Sequence, residues 1–487
     1  MSTSWPSSER APLTPLRRDF TVRFHSAEQL ERLKQATLDI LERVGVRVDS
    51  PRALDVLAGH GAHVERATNL VTLPPDLVAQ AMARAPRWFD LGARAIACDL
   101  HLDERTTFCT TDGCGTEILD FATGQRRPST KADLAAITRM TDYLPSMAFW
   151  WPTVAAGDCG RTAQLHELDA GWRNTVKHLQ GMVNGERHAR YAVEMATVIA
   201  GSREELRRRP VLSDLIGVVS PLVLDRDGIE AALVFAEAGV PIAFVTMPTL
   251  GTTAPATRAG AFAQGAAELV AATVIVQLAF PGAPVAHSIM QSYIDPRSGR
   301  FVSFPLDHRA RFLATELAHA WGVPSEAGAC GTDASTPGAW QSAVEDGVDL
   351  ALAAWEGSEL LTSIGLLSTY TVFSAPDYIL GHDVYERVRY SLLDIAVDDE
   401  ELALDAIAAV GPGGHFLGHR HTRAHLRHSF VSAITHVDDG QGFRDPLAVA
   451  NERAQWILDH YQPEPLEPDK ARELTHILAA ADAELNR

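Results

Sequence analysis

The chain has 487 residues, 46% hydrophobic and 22% charged, the balance of a folded globular enzyme. A formal net charge of -19 argues against nucleic acid or an anionic membrane as partner and suits a cationic small molecule. The five cysteines (Cys98, Cys109, Cys114, Cys159 and Cys330) are odd in number and include no CxxC pair, which predicts reduced, buried thiols in a cytoplasmic protein.

Residues 1–26 lack an apolar signal core and predict a flexible N-terminal arm, disordered or docked. Residues 27–98 predict an α+β cap. SAEQLERLKQATLDILERVGV has apolar residues near helical spacing after a Ser26 cap. SPRALDVLAGHGAHVE is a second helix, closed by Gly59 or Gly61. LPPDLVAQAMARAP is a third, with Pro74-Pro75 at its start and Pro86 at its end. Val46–Val48 and Asn69–Thr72 read as short strands between them.

Residues 99–430 alternate short apolar runs with helical patterns. The runs are Ala148–Thr153, Leu179–Val183, Leu215–Val219, Ile242–Met247, Pro284–Met290, Ser325–Gly331 and Leu361–Leu367. Helices are predicted at Asp227–Ala238, Thr257–Gln277, His308–Trp321 and Ala343–Glu356. About eight such units predict an α/β fold, a TIM (β/α)8 barrel. Leu269–Phe280 is too short for a membrane span and predicts a buried helix. GxGxxG and GxxxxGK[ST] are absent, so nucleotide chemistry loses its main support. VDDEELALDAIAAVG, DPLAVANERAQWILDHYQ and DKARELTHILAAADAEL predict polar helices, and residues 431–487 form a C-terminal helical extension packed on the barrel.

The loop Gly331–Pro337 follows a strand and precedes a helix, where α/β folds bind ligands. Its only charge is Asp333, among Thr332, Ala334, Ser335 and Thr336. The segment from Val245, VTMPTLGTTAPATRAGAFAQGAAELVAA, is rich in small residues that admit a ligand or a neighbouring helix. Glu268 lies three turns into this apolar helix and must be paired. Phe149, Trp150, Trp151, Phe244, Tyr293, Tyr370 and Phe373 sit near strand ends, either as core or as faces for a cation. GPGGHFLGHRHTRAHLRHSF places His421 and His425 four apart on one helix face, weak spacing for zinc without an acidic third ligand. No GxSxG occurs, and Cys330 reads as core rather than nucleophile.

Several blocks, in order, resemble the trimethylamine methyltransferase family of corrinoid-dependent methyltransferases. LERVGVRVDSPRALDVLAGHGAHVE, VTLPPDLVAQAMARAP, ILDFATGQRRPSTKADLAAITRMTDYLP and YQPEPLEPDKARELTHIL carry the resemblance across the chain. MPTLGTTAPATRAGAFAQGAAELVA and GPGGHFLGHRHTRAHLR are its most specific parts. The resemblance implies a TIM barrel that moves a methyl group from an amine to the cobalt of a separate corrinoid protein. Corrinoid, or cobalamin, is then supplied by that partner rather than held as a resident cofactor. Pyrrolysine-containing members carry that residue in a segment resembling GTDASTPGAWQ, where Ser335 or Thr336 stands nearest here. The chain is therefore similar to the non-pyrrolysine, glycine betaine methyltransferases.

On this resemblance Asp333, Gln341 and Glu345 are the expected catalytic group. Trp151, His287, Tyr293, Phe373, His415 and His421 are expected to hold the substrate, and Thr249, Gly251, Ser335 and Thr336 the corrin. No metal site is expected, and a homo-oligomer is. Two rival readings stand beside this one: a barrel that binds a quaternary amine without catalysis, and a zinc-dependent hydrolase or methyltransferase.

Overall fold

The computed structural model describes residue 7 and residues 9–302, 308–328, 331–426 and 430–486. Eight strands organise the centre: β1 (Thr106–Thr111), β2 (Phe149–Trp150), β3 (His178–Gly181), β4 (Leu212–Gly217), β5 (Ile242–Thr246), β6 (Val285–Ile289), β7 (Glu326–Gly328) and β8 (Leu360–Ile364). β2 to β6 form one parallel sheet in sequential order. β7, β8 and β1 form a second parallel run. Single parallel bridges, Cys109 to Met147 and His287 to Ser325, link the two. The fold is mixed α/β, as expected.

All seven predicted runs contain strands near their expected positions, and residues 329–330 of the run Ser325–Gly331 lie outside the described residues. The strand the sequence hides is β1, TTFCTT, whose threonines break the apolar signature. The helices that follow the strands include α1 (Arg258–Ala279), α2 (His308–Ala320), α3 (Trp340–Glu356) and α4 (Ala375–Ser391). α1 is long and apolar enough to cross a membrane, yet 89% of its most apolar window is buried inside the protein.

Alternation sorts the side chains. Leu179, Ile216, Ile242, Phe244, Val285 and Ile289 join the main core between strands and helices. Leu215, Ala243, Val245 and Ala286 form a separate interior cluster with Trp151. The cap has helices at Ala27–Arg43, Pro51–Gly59 and Pro75–Met82, with capping hydrogen bonds from Ser26 and Ser50. Val46–Val48 and Leu70–Thr72 pair antiparallel within its sheet.

Of the two readings of the N-terminal arm, docked contacts are present at residues 16–18: Leu16–Arg17 pairs with β1, and Arg18 is buried with its guanidinium on Thr107 Oγ1 at 2.7 Å. One expectation is corrected. VDDEELALDAIAAVG is two short helices, Asp399–Leu402 and Leu404–Val410, broken where Ala403 takes a left-handed φ of 50°.

Candidate functional site

The interior face of the strands carries a polar pair in an apolar setting. Gln180 on β3 and Glu326 on β7 are both about 1% exposed. The Gln180 amide donates to Glu326 Oε2 at 2.8 Å and so joins the two parallel sheets. Around them lie the small residues Ala243, Ala286 and Ser288, all buried. The larger Leu215, Val245 and Trp151 share this interior with them, and a carboxyl buried in such a setting is costly unless something pairs with it.

Seven buried polar atoms facing this interior or its strand ends have no hydrogen-bond partner among the described residues. They belong to Asp112, Trp151, Gln180, Ser288, Gln291 and Glu326. Buried polar atoms are nearly always satisfied, so their convergence from several strands points to a binding site. Burial pushes the Glu326 carboxyl up to about 7 against the opposing pull of the Gln180 amide. Asp112 is raised well above the usual carboxylate range, also by burial. Trp151 is held flat against Gly113, where a Cβ would come within 2.5 Å of the indole.

The loop after β7 is clamped from two sides. Glu345 on α3 accepts from Thr332 Oγ1 at 2.5 Å and from the Asp333 amide at 3.1 Å through one oxygen. Its other oxygen accepts from Gln341 at 2.9 Å. Thr369 donates to Asp333 Oδ1 at 2.8 Å, and the Ser368 and Thr369 amides bond to Ala334 and Thr332 carbonyls. Ser368, Thr369 and Tyr370 all take positive φ, 53°, 55° and 64°. Such backbone strain persists only where surrounding contacts impose it. Gly331 is required: its Cβ would stand 1.7 Å from the Tyr370 ring.

The structure therefore gathers Asp333, Gln341 and Glu345 into one network, but a network that holds a loop. Both Glu345 oxygens are already engaged, which departs from the expected catalytic role. Ser335 and Thr336 are exposed and line an outer cleft of about 490 Å3 with Phe121, Pro376 and Gln455.

Thr249, Gly251 and Tyr293 come together on a ribbon beyond β5 and β6. Thr249–Leu250 pairs with Ser292–Ile294, and the Thr249 and Ser292 hydroxyls lie 2.9 Å apart. Gly251 takes a φ of 76° in the turn that follows Leu250, where its amide bonds to the Ala254 carbonyl. Trp151 lies in the interior cluster.

Four expected substrate contacts are elsewhere. His287 faces α1, where its Nε2 meets Thr273 Oγ1 at 2.8 Å, and burial drives its pKa down to about 3. Phe373 is fully buried, edge-on to Phe121 and Tyr378 in the main core. His415 is exposed, and His421 stacks on His425 at 4.1 Å in the short helix Arg420–His425. Glu268 is paired as expected: it accepts from Ser220 at 2.8 Å, the Leu222 amide at 2.9 Å, Gln264 at 3.0 Å, and Thr246. Cys330 lies outside the described residues. Among the described residues, no three His, Cys, Asp or Glu side chains are grouped to hold a metal ion.

The family model for trimethylamine methyltransferase (MTTB) matches residues 6–486. The chain belongs to this family. It is a methyltransferase by that membership. Trimethylamine methyltransferase MttB of Desulfitobacterium hafniense is 30% identical over 94% of both chains. The glycine betaine methyltransferase of D. hafniense strain Y51 is 27% identical over 94% of this chain and 97% of that one. Among solved structures, the monomethylamine methyltransferase of Methanosarcina barkeri covers 94% of this chain and 92% of its own at 10% identity, with a TM-score of 0.40. That likeness is too loose to place strands or side chains. Within the trimethylamine methyltransferase family, then, this chain puts its buried carboxyl on β7 itself, a few residues before the loop that drew attention in the sequence.

Proposed function

We propose that the chain moves a methyl group from a methylated, quaternary amine to Co(I) of a corrinoid presented by a separate carrier protein. The observation that carries this reading is Glu326, a buried carboxyl with one unpartnered oxygen, set beside small residues in the interior. Family membership supplies the reaction class, and the names of the relatives supply the donor class.

A quaternary ammonium departs as a neutral amine, so the protein needs no acid to protonate a leaving group. Its work is to hold the cation, align one methyl and exclude water. Glu326 provides the countercharge, and a bound cation reverses the burial effect on its carboxyl. Trp151 adds an aromatic face, worth about 0.5–2 kcal/mol toward a cation. When docked, the corrinoid supplies the Co(I) nucleophile and carries the methyl group away. Gly217 at the end of β4, where an added Cβ would meet nothing within 4 Å, leaves room for a flat macrocycle to approach. Thr249, Gly251, Ser335 and Thr336 are the residues we assign to its edge.

The same reading closes the eight parallel strands into a (β/α)8 barrel. The two single bridges between the sheets and the Gln180–Glu326 bond across the interior support it.

Incubation with cob(I)alamin and a panel of betaines, carnitine, choline and tertiary amines tests the proposal. A quaternary donor is expected to convert the absorbance to that of methylcobalamin. Binding without conversion would favour a barrel that only senses the amine. Conversion with tertiary amines alone would remove the quaternary preference.

A further inference from the structure

A buried side-chain amide is normally spent at both ends. Gln277 on α1 follows the rule: its nitrogen donates to the Ala283 carbonyl at 2.7 Å, and its oxygen accepts from the Gly282 amide at 2.9 Å. Gln180 breaks it. Among the described residues its buried amide nitrogen bonds Glu326 alone, and its oxygen bonds nothing. Glu326 is the matching exception among buried carboxyls. Glu268 accepts from four donors. Glu326 accepts from Gln180 through Oε2, while its Oε1 has no partner among the described residues.

The glutamine is rooted where β3 is held fast. Leu179 before it is buried in the main core and pairs with Leu212 of β4. Gly181 after it lies so close to β4 that a Cβ would stand 2.7 Å from Asp214 Oδ1. The same Asp214 oxygen accepts from the Val183 amide at 3.1 Å. A side chain on so fixed a strand delivers its N–H to one place. The bond thus decides which oxygen of Glu326 is engaged and which is left for a ligand. A donor on a carboxylate also favours the ionised form. Burial pushes the Glu326 carboxyl up, and the Gln180 amide is what opposes it.

We propose that Gln180 is a positioning residue for the methyl donor, holding Glu326 Oε2 with its amide so that Oε1 meets the cation. This rests on the reading of Glu326 as the counter-ion of a quaternary amine. Gln180 does not touch the reacting methyl group; it acts through the carboxylate. Without the amide, Glu326 has no donor among the described residues, so it keeps its proton to higher pH and is no longer held in one orientation.

Gln180→Met keeps the length and bulk of the side chain and removes the amide; Gln180→Leu stands in if the first variant does not fold. Two titrations are read on the full chain. One is kcat/KM against pH for a quaternary donor with preformed cob(I)alamin. The other is the infrared carbonyl band of a protonated carboxyl, assigned to Glu326 by its absence from Glu326→Gln. Parent midpoints are expected near 7 in both, and those of the variant about one to two pH units higher. At pH 7 the variant's kcat/KM should be down about tenfold or more, with much of the loss recovered at pH 9. Midpoints that stay at the parent values, with kcat/KM lowered equally at every pH, would overturn the proposal and leave Glu326 as the counter-ion. An infrared midpoint that moves while the kcat/KM profile stays would remove the counter-ion itself and the proposal with it. A parent that turns over no quaternary donor would do the same.

Discussion

Gln180 and Glu326 meet across the interior at 2.8 Å, and each keeps one side-chain oxygen without a partner among the described residues. A hydrogen bond that joins two sheets while leaving acceptors free is poor scaffolding and good ligand preparation. The burial that makes this carboxyl costly when ionised also makes it selective for a cation, because only a counter-ion restores what desolvation removed.

The first prediction concerns stability. The carboxyl of Glu326 lies near 7 in the fold against an ordinary 4.5, so the fold disfavours its charged form. The native protein loses stability as pH rises through about 7, by up to about 3 kcal/mol relative to a group that does not ionise. Glu326→Gln should therefore match the parent in melting temperature at pH 5 and exceed it at pH 8. An equal difference at both values would show that the carboxyl does not titrate in this range.

Catalysis should run the other way. The cation pairs with ionised Glu326, so kcat/KM for a quaternary donor should fall about tenfold per pH unit below about 7 and level off above it. A rate profile flat from pH 5 to 8, measured on the preformed Co(I) state, would remove the carboxylate from the binding step.

Glu345 gives a contrasting prediction. Its substitution by Ala releases Thr332, the Asp333 amide and Gln341 together. The expected cost is about 1–3 kcal/mol, with faster hydrogen exchange and proteolysis within 331–337. Glu345→Gln, which keeps an acceptor, should restore much of the protection. Loss of activity with an unchanged exchange pattern would instead assign Glu345 a direct part in the chemistry.

Glu268→Ala strands Ser220, Thr246, Gln264 and the Leu222 amide around an empty acceptor. Destabilisation of about 1–3 kcal/mol is expected in chemical denaturation, the cost of stranding buried neutral donors. A loss below about 1 kcal/mol would mean that the site relaxes or admits water freely.

Much of the strand–helix order could be read from the chain because apolar runs and helical periods agree with the fold. Ile242–Thr246, Val285–Ile289 and α1 follow that pattern closely. β1 did not show because its inner and outer positions are filled by threonine, which packs between strands without marking a face. The loop 331–337 reads as a ligand site because loops after strands bind ligands, and the structure shows its Asp333 and the Glu345 of α3 spent on holding the loop. Glu326 left a trace in the sequence, a charge inside the short run Ser325–Gly331, but no period tells an inward carboxyl from an outward one. His287 shows the converse: it stands one position from Ala286 and Ser288, and that single step turns its ring to α1.

The most direct test of the account compares the parent with Glu326→Gln in the cob(I)alamin assay at pH 8, with the best quaternary donor of the panel. Removing one partner of a buried charge pair costs at least about 2.7 kcal/mol, so kcat/KM should fall a hundredfold or more while the variant melts at the higher temperature. A variant that methylates cob(I)alamin at the parent rate would contradict the assignment of Glu326 as the counter-ion of the methyl donor.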